Sequence, residues 1–345
     1  MAIEIDFSYM IDGFFSSVNY YRSETPMDAG SMPTPTATGI TGTTYTDTTA
    51  TKGKYYYVRF GSVRSGIEKI SSETKLLTGT LWTPANMASK SKSWISSENV
   101  SSSSGSVSQM SDITGNLNHF SQSNSSMRPS LVFDASINRN AVSFNGLSSS
   151  LTGVVSIKDI FKNVGVIYNF MVVARSTLDS SPTNRTAFWC STGASSARFV
   201  AQLGSVDSVM VNAIDFGSRR LDSDSFSNQF SGTQSKTTFQ MIMYIVDYST
   251  GNKRIYIDGS LVATTPVTTG LTSNTTSNED VCIGARRFSS GTYERFANMK
   301  LAEMIIGNTS PSLDIDKLFG YAAHKYGLLA NLPSGHPYKT NPPVV

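Results

Sequence analysis

The stretch Phe239–Thr264, FQMIMYIVDYSTGNKRIYIDGSLVAT, decides how this chain folds. From Gln240 to Tyr248 it is apolar on both faces except at Gln240 and Asp247, and Ser249-Thr250-Gly251-Asn252 bounds it. It therefore reads as a buried strand running into a turn. Arg254–Ile257 then alternates polar with β-branched or aromatic residues, and Asp258-Gly259 supplies the positive-φ pair that a type I′ hairpin turn needs. Three strands follow one another as a tight meander. A meander this apolar needs a second sheet over it, so the fold class is all-β, an antiparallel sandwich.

Composition agrees. The chain has 345 residues, enough for two domains, and 39% of them are hydrophobic, enough to give each a core. Charged residues make up 15%, with 28 basic against 25 acidic, and a net +3 this dispersed argues against nucleic acid as partner. Serine and threonine abound, as in all-β chains. Met1-Ala2-Ile3-Glu4-Ile5-Asp6 lacks the basic start and apolar run of a secretory signal, and the mature chain is expected to begin near Met1. No apolar stretch reaches the roughly 20 residues that span a bilayer, so no membrane insertion is expected. Cys190 and Cys282 each lie in an apolar, strand-like segment and read as buried free thiols.

Polar composition at 76–93, ending in Lys90-Ser91-Lys92-Ser93, marks a solvated linker between a domain at 1–75 and a second at 94–345. In the first, strands are expected at Ile3–Tyr9, Ser17–Arg22, Thr43–Asp47, Tyr55–Val63 and Ile67–Ile70. In the second, Trp94–Pro129 reads as loop-rich, with the serine run Ser101–Ser104 as a surface loop. Further strands are expected at Leu131–Phe133, Ala141–Phe144, Tyr168–Ala174, Ala187–Cys190, Arg198–Leu203, Ser208–Ile214, Val281–Ile283 and Lys300–Ile306. One short helix closes the domain. Ser312 is its N-cap by pattern, Asp314 and Asp316 suit the dipole, Leu318, Tyr321, Ala322 and Tyr326 recur at helical spacing, and Gly327 stops it. The tail from Ala330 through Pro343 reads as an extended strap.

Two resemblances follow from particular residues. Gly53-Lys54-Tyr55-Tyr56-Tyr57-Val58-Arg59-Phe60 resembles the F strand of a fibronectin type III module, and Tyr45-Thr46-Asp47 its E strand. The match covers about 75 residues, short of the seven strands, and implies a missing first strand. In the second domain, Gly105–Gln109 leading to Asp112-Ile113-Thr114-Gly115-Asn116-Leu117-Asn118-His119-Phe120 and on to Arg128-Pro129 resembles the concanavalin A-like (laminin G-like) modules of bacteriophage and prophage tail proteins. Asn140–Gly146 and the run Gly320–Leu328, with Leu332–Lys339 after it, resemble the same family. The implied fold is a fibronectin type III-like sandwich followed by a concanavalin A-like jelly-roll sandwich with one short C-terminal helix. The family's tryptophan-led acidic segment reads Trp94-Ile95-Ser96-Ser97-Glu98-Asn99 here, without two of its carboxylates, so no metal or other cofactor is expected.

Glycoside hydrolysis needs two carboxylates flanking the scissile bond. Glu4-Ile5-Asp6 lies in the wrong domain, and adjacent Glu279-Asp280 would point to opposite faces of a strand, so the chain is not read as an enzyme. His119, His324 and His336 have no metal spacing; the latter two read as packing or capping residues. Saccharides are held by aromatic faces and by Asn, Asp and Arg donors and acceptors on loops. Those expected to bind ligand are Asn116, Asn118 and His119 in one loop, and Arg286, Arg287 and Tyr293 around another. Of the other aromatics, Trp189 reads as core, and Tyr244, Tyr248 and Tyr256 lie on the meander.

The resemblance implies a virion tail fibre or receptor-binding component, in a phage tail assembled in the bacterial cytoplasm. Its first domain would dock on other virion proteins, its second would meet a bacterial surface polysaccharide, and a homo-oligomer is compatible with this. The alternative is a structural virion protein, a baseplate or decoration subunit, making only protein contacts.

Overall fold

The computed structural model describes residues 2–11, 13–176, 186–191, 197–204, 213–234, 236–274, 281–287, 291–312 and 314–345. The chain forms two compact units, Met1–Trp82 with Thr340–Val345, and Thr83–Lys339.

The first unit contains β1 (Ala2–Ser8), β2 (Ser17–Ser23), β3 (Ala37–Ile40), β4 (Thr44–Thr51), β5 (Tyr55–Arg64), β6 (Ile67–Ile70) and β7 (Thr74–Leu77). The strands expected from the sequence all form. One layer is β3-β2-β5-β6 with β7 also on β5, and the other has two strands, β1 and β4. Tyr20, Ala50, Tyr56 and Val58 are its buried centre. The segment 76–93 is not a solvated linker. Leu76 and Leu77 belong to β7, Trp82 and Met87 are buried, and Ser91 and Ser93 are fully buried. Their hydroxyls are satisfied internally, Ser91 by Tyr168 and Ser93 by the Asn118 carbonyl, which is how serines that look solvated come to be inside.

The tail does more than strap the surface. Leu81 and Val344 form a β-bridge. Trp82 N donates to Pro343 O at 2.9 Å, Val345 N to Thr80 O at 2.9 Å, and Tyr55 N to Asn341 Oδ1 at 3.2 Å. The last six residues thus complete the unit that the first eighty-two begin.

The second unit contains β8 (Ser91–Ser96), β9 (Val100–Ser103), β10 (Ser106–Met110), β11 (Phe120–Ser121), β12 (Ser130–Asp134), β13 (Arg139–Asn145), β14 (Leu151–Gly153), β15 (Val166–Arg175), β16 (Thr186–Ser191), β17 (Ala197–Gln202), β18 (Ala213–Ser218) and β19 (Ser227–Gln234). After these come β20 (Gln240–Asp247), β21 (Asn252–Ile257), β22 (Ser260–Pro266), β23 (Cys282–Ile283), β24 (Arg286–Arg287), β25 (Tyr293–Glu294), β26 (Asn298–Gly307) and helix α1 (Ile315–Tyr326). The serine run is a strand and turn: Ser101–Ser103 lie in β9, and Ser104 and Gly105, at φ 48° and 78°, turn the chain into β10. Being exposed, β9 carries no apolar alternation to announce it. The expected Ser208–Ile214 strand lies in part outside the described residues, as does Glu279-Asp280.

The meander forms as the sequence dictates. β20 is buried throughout, β21 alternates, and Ile257 pairs with Ser260 across Asp258 and Gly259, at φ 52° and 86°. Pairing then runs antiparallel along β22-β21-β20-β15-β26-β13-β12-β10-β11-β14-β23-β16-β17-β18-β19, with β8 on β26 and β9 on β10. This path curls round one apolar core as a flattened barrel, until β19 and β22 lie side by side without a ladder between them in the described residues. A second sheet covers only one face of the meander. The other is covered by α1, whose Phe319 packs on Phe170 with centroids 5.3 Å apart and on Tyr256 at 6.4 Å. The helix begins two residues later than Ser312 suggests: Asp314 takes the N-cap position, its carboxylate held by Lys90 at 2.5 Å. Gly327 ends it at φ 70°.

Glu303 ties helix to sheet. It is fully buried, and its carboxylate accepts from Trp94 Nε1 (2.5 Å), Tyr321 Oη (3.1 Å), Tyr326 Oη (2.6 Å) and Lys325 Nζ (2.9 Å). Burial, and then the Glu303 charge, hold both tyrosine hydroxyls far above their ordinary pKa. Removing one member of a buried charged network strands the rest, so Glu303→Ala is expected to destabilise this unit by about 3–5 kcal/mol in urea denaturation of the full chain. A loss below about 1 kcal/mol would mean the carboxylate does not anchor the helix. Deleting Thr340–Val345 removes two backbone–backbone hydrogen bonds of the first unit and the one from Tyr55 N to the Asn341 side chain, about 1 kcal/mol each. Amide exchange should then quicken in β5 and stay unchanged in β15; the reverse pattern would contradict the assignment of the tail.

Candidate functional site

The loop carrying Asn116, Asn118 and His119 is organised from within by Asp112. Its carboxylate, largely buried, accepts from Trp94 N (2.9 Å), Thr114 N (3.0 Å), Thr114 Oγ1 and Asn118 N (3.0 Å). Asn118 is itself buried and donates from Nδ2 to Lys92 O at 2.7 Å; Asn116 reaches Lys92 O at 3.3 Å; His119 Nδ1 accepts from Asp112 N at 2.9 Å. Each of the three residues thus uses at least one side-chain polar atom to hold its own turn. His324, through Nε2 to Tyr338 O at 3.0 Å, and the buried His336 serve packing and capping as expected.

Arg286, Arg287 and Tyr293 do come together, on the small β24–β25 hairpin, where Arg287 pairs with Tyr293 and Arg286 with Glu294. Arg286 lies over Trp189, 4.6 Å from its centroid, and bonds Glu294 at 3.1 Å. Arg287 lies over Tyr293 at 5.6 Å, and Tyr293 stacks with Phe296 at 6.4 Å. Trp189 is buried, as read from the sequence. The result is a layered cation–aromatic patch in which the rings already carry guanidinium groups. Residues 288–290 lie outside the described residues.

A cleft that the sequence reading did not single out lies at the seam between β19 and β22. It encloses about 640 Å³, a volume ordinary for small-molecule sites. One wall is formed by Ser218, Arg219, Arg220 and Asp224 of the turn that leaves β18, and the other by Tyr248 with Pro266–Thr268. The turn is braced from beneath. The fully buried Arg198 side chain donates to Arg220 O and to Asp222 Oδ1 (2.8 Å), Arg219 Nη1 donates to Asp222 O (2.8 Å), and Leu221 N donates to Asp224 Oδ2 (2.9 Å). Burial lowers the Arg198 pKa.

Lys253 closes the seam from inside. It is fully buried on β21, and its ammonium donates to Ser227 O (2.8 Å), Ser227 Oγ (3.2 Å) and Phe216 O (3.5 Å), fixing the strand start that lines the cleft. Burial, opposed by the nearby Asp215 charge, brings its pKa down to about 8. Tyr248 is almost fully buried, which pushes its hydroxyl up to about 12 and keeps it neutral; Ser218 is a loose side-chain partner, with no hydrogen bond of ordinary geometry. The lining therefore mixes guanidinium donors, hydroxyls that both donate and accept, and apolar surface, the inventory that orients a polyol. Its one carboxylate, Asp224, already serves Leu221 N. Among the described residues no three His, Cys, Asp or Glu side chains are close enough to hold a metal ion, and no helix is long and apolar enough to cross a membrane. The signal in the sequence was the polar, mixed-charge turn between two strands; nothing in its spacing says that Tyr248 and Pro266 face it.

No protein-family model and no curated protein matches this chain. Among solved structures, domain 4 of the arabinanase AbnA from Geobacillus stearothermophilus, in complex with arabinotriose, is 14% identical, with a TM-score of 0.42, over 66% of this chain and 97% of that one. The CBM40 of a Ruminococcus gnavus sialidase, bound to sialyllactose, is 12% identical, with a TM-score of 0.38, over 52% of this chain and 94% of that one. A Trypanosoma rangeli sialidase, in complex with sialic acid, is 11% identical, with a TM-score of 0.45, over 78% of this chain and 43% of that one. Identity and TM-score are low in all three, so the functional reading stands on this chain's own side chains.

The Lys253 pKa gives the seam a pH signature. The unfolded chain binds that proton up to about pH 10.4 and the folded one only to about 8, so stability conferred by the site rises as pH climbs between the two. Relative to Lys253→Met, the wild type should gain about 1.4 kcal/mol per pH unit across that window in denaturant titrations. Parallel curves would place the ammonium in water.

Proposed function

We propose that this protein binds a bacterial cell-surface glycan through its second unit, as a non-enzymatic tail-fibre or receptor-binding component of a virion. The observation that carries the saccharide reading is the seam cleft, where Arg219, Arg220 and the serine hydroxyls converge on an open volume beside the buried Tyr248 and over a braced floor. Arg220 suits direct contact: its side chain is partly exposed, Nη1 donates to Leu271 O at 3.3 Å and so orients the guanidinium, and Asp224 stands at 3.9 Å, beyond hydrogen-bonding distance. The phage context is supported by the sequence resemblance in the 105–146 and 320–339 blocks. Affinity per site is expected to be modest, since the cleft is shallow and open, and display in many copies would raise avidity by roughly 10²–10⁴.

A glycan array followed by binding to host cells with and without their surface polysaccharide tests this on the full chain. Arg220→Ala and Ser225→Ala should each weaken binding, the former by about tenfold or more, because a charge-assisted hydrogen bond is worth about 1.5–3 kcal/mol. Reducing ends should not be released. Binding that survives both substitutions but fails with Arg287→Ala and Tyr293→Ala would move the site to the β24–β25 hairpin. Undiminished binding to stripped cells would end the glycan reading.

A further inference from the structure

The β1–β4 layer of the first unit has two strands and so two edges; on β4 the carbonyls of Thr49 and Thr51 accept from Arg22 Nη2 (3.5 Å) and Thr78 Oγ1 (2.6 Å), caps that β1 lacks among the described residues. Among the described residues β1 pairs only with β4, so its other edge presents unpaired backbone groups. Tyr9 N donates to Thr43 O at 3.0 Å, and alternation along the antiparallel ladder then turns Phe7 toward β4 and the amides of Asp6 and Ser8 away from it. Side-chain burial shows which flank is unfinished. On β4 the inward Asp47 and Ala50 are almost fully buried and Tyr45 partly so, whereas all three inward residues of β1, Ile3, Ile5 and Phe7, are only partly buried although they pack on the same core. Just beyond the strand, Met10 and Phe14 are 98% and 79% exposed.

We propose that this edge receives an extended strand from another polypeptide, one that alternates apolar residues with lysine or arginine and adds to β1 as the third strand of the layer. The backbone dictates an extended partner, and the half-buried Ile3, Ile5 and Phe7 dictate apolar residues at every second position. Charge selects the rest. Glu4 and Asp6 are exposed on the outer face, with Asp6 Oδ1 accepting from Thr46 Oγ1 at 2.6 Å. A second copy of β1 is a poor occupant: in antiparallel pairing centred on Ile5, each Glu4 faces the other copy's Asp6, and centring on Asp6 sets that residue against itself. Like charges directly opposite destabilise a pair of strands, while a basic residue there is favoured. This surface is separate from the saccharide cleft, and its occupancy does not depend on that reading.

The test uses the full chain and a short synthetic peptide alternating valine with lysine. Titration should show binding, and amide exchange at Asp6 and Ser8 should slow by at least about tenfold in the complex, while amides of β15 stay unchanged. A peptide with glutamate in place of lysine should bind at least about tenfold more weakly, and the double substitution Glu4→Lys with Asp6→Lys should reverse that preference. Asp6→Pro, which removes an edge amide that β4 does not use, should abolish binding in a chain whose β5 amides, in the same unit, remain protected. No binding, binding without protection at Asp6 and Ser8, or equal affinity for both peptides overturns the proposal. A concentration-dependent dimer that protects those same amides without peptide also overturns it, in favour of a second copy.

Discussion

A single extra residue in β26 sets the architecture of the second unit. Along β15, Val172 faces Glu303 and Val173 faces Leu301, so Ala302 is bulged out of the ladder. Side chains alternate with period two along a strand, and one inserted residue exchanges the faces beyond it. Met299 and Leu301 point into the core before the bulge, and Met304 and Ile306 do so after it. Without this bulge, with Ala302 paired in regular alternation, Glu303 would be aimed into the apolar interior. With it, the carboxylate emerges on the opposite face, where Trp94 and the α1 residues Tyr321, Lys325 and Tyr326 surround it. A buried carboxylate costs several kcal/mol unless its lone pairs are satisfied. Four donors from two other elements meet that demand, and so fix helix and β8 to one strand.

Fixing the helix there decides what the rest of the sheet must do. With α1 over β15, β20 and β21, the meander's outer face is dry, and its inner face needs the far layer for cover. A long pairing path then has to curl back on itself. Its ends meet at β19 and β22, where ladder hydrogen bonds stop and backbone carbonyls would be left buried. Lys253 and Arg198 answer this. One donates across the seam to Ser227 and Phe216, the other to Arg220 and Asp222. Both are fully buried cations, a costly choice whose return is a rigid turn at the mouth of the cleft.

How much of this the sequence carried depended on whether a feature is local. The meander, the Asp258-Gly259 turn, the Gly327 stop and the central strands are written in period and turn chemistry, and they formed where expected. The Ala302 bulge was not readable, because Lys300–Ile306 is apolar enough on both faces to hide a change of phase. The buried serines at 91 and 93 read as solvated because their partners, Tyr168 and the Asn118 carbonyl, are distant in sequence. Of the anticipated ligand residues, Arg286, Arg287 and Tyr293 assemble as a group, while Asn116, Asn118 and His119 serve a turn governed by Asp112, which spacing alone does not distinguish from a binding loop. The cleft escaped notice because its walls come from the ends of β18, β20 and β22, brought together only by closure of the sheet.

The two sites put forward share a physical origin. A β-layer satisfies its backbone by pairing, so recognition becomes available where pairing ends. In the second unit both ends of the path lie side by side, their loose backbone groups are capped by buried cations, and what remains open is a side-chain cleft suited to hydroxyls. In the first unit the outer edge of β1 has no such cap among the described residues, and what remains open there is the backbone, suited to another strand. The chemistry each presents follows from how the edge was finished. As proposed, a seam closed by Lys253 would discriminate among small polar molecules, whereas an edge bordered by Glu4 and Asp6 would discriminate among polypeptides by charge. The two proposed sites share no residue, so occupancy of one would leave the other's side chains untouched.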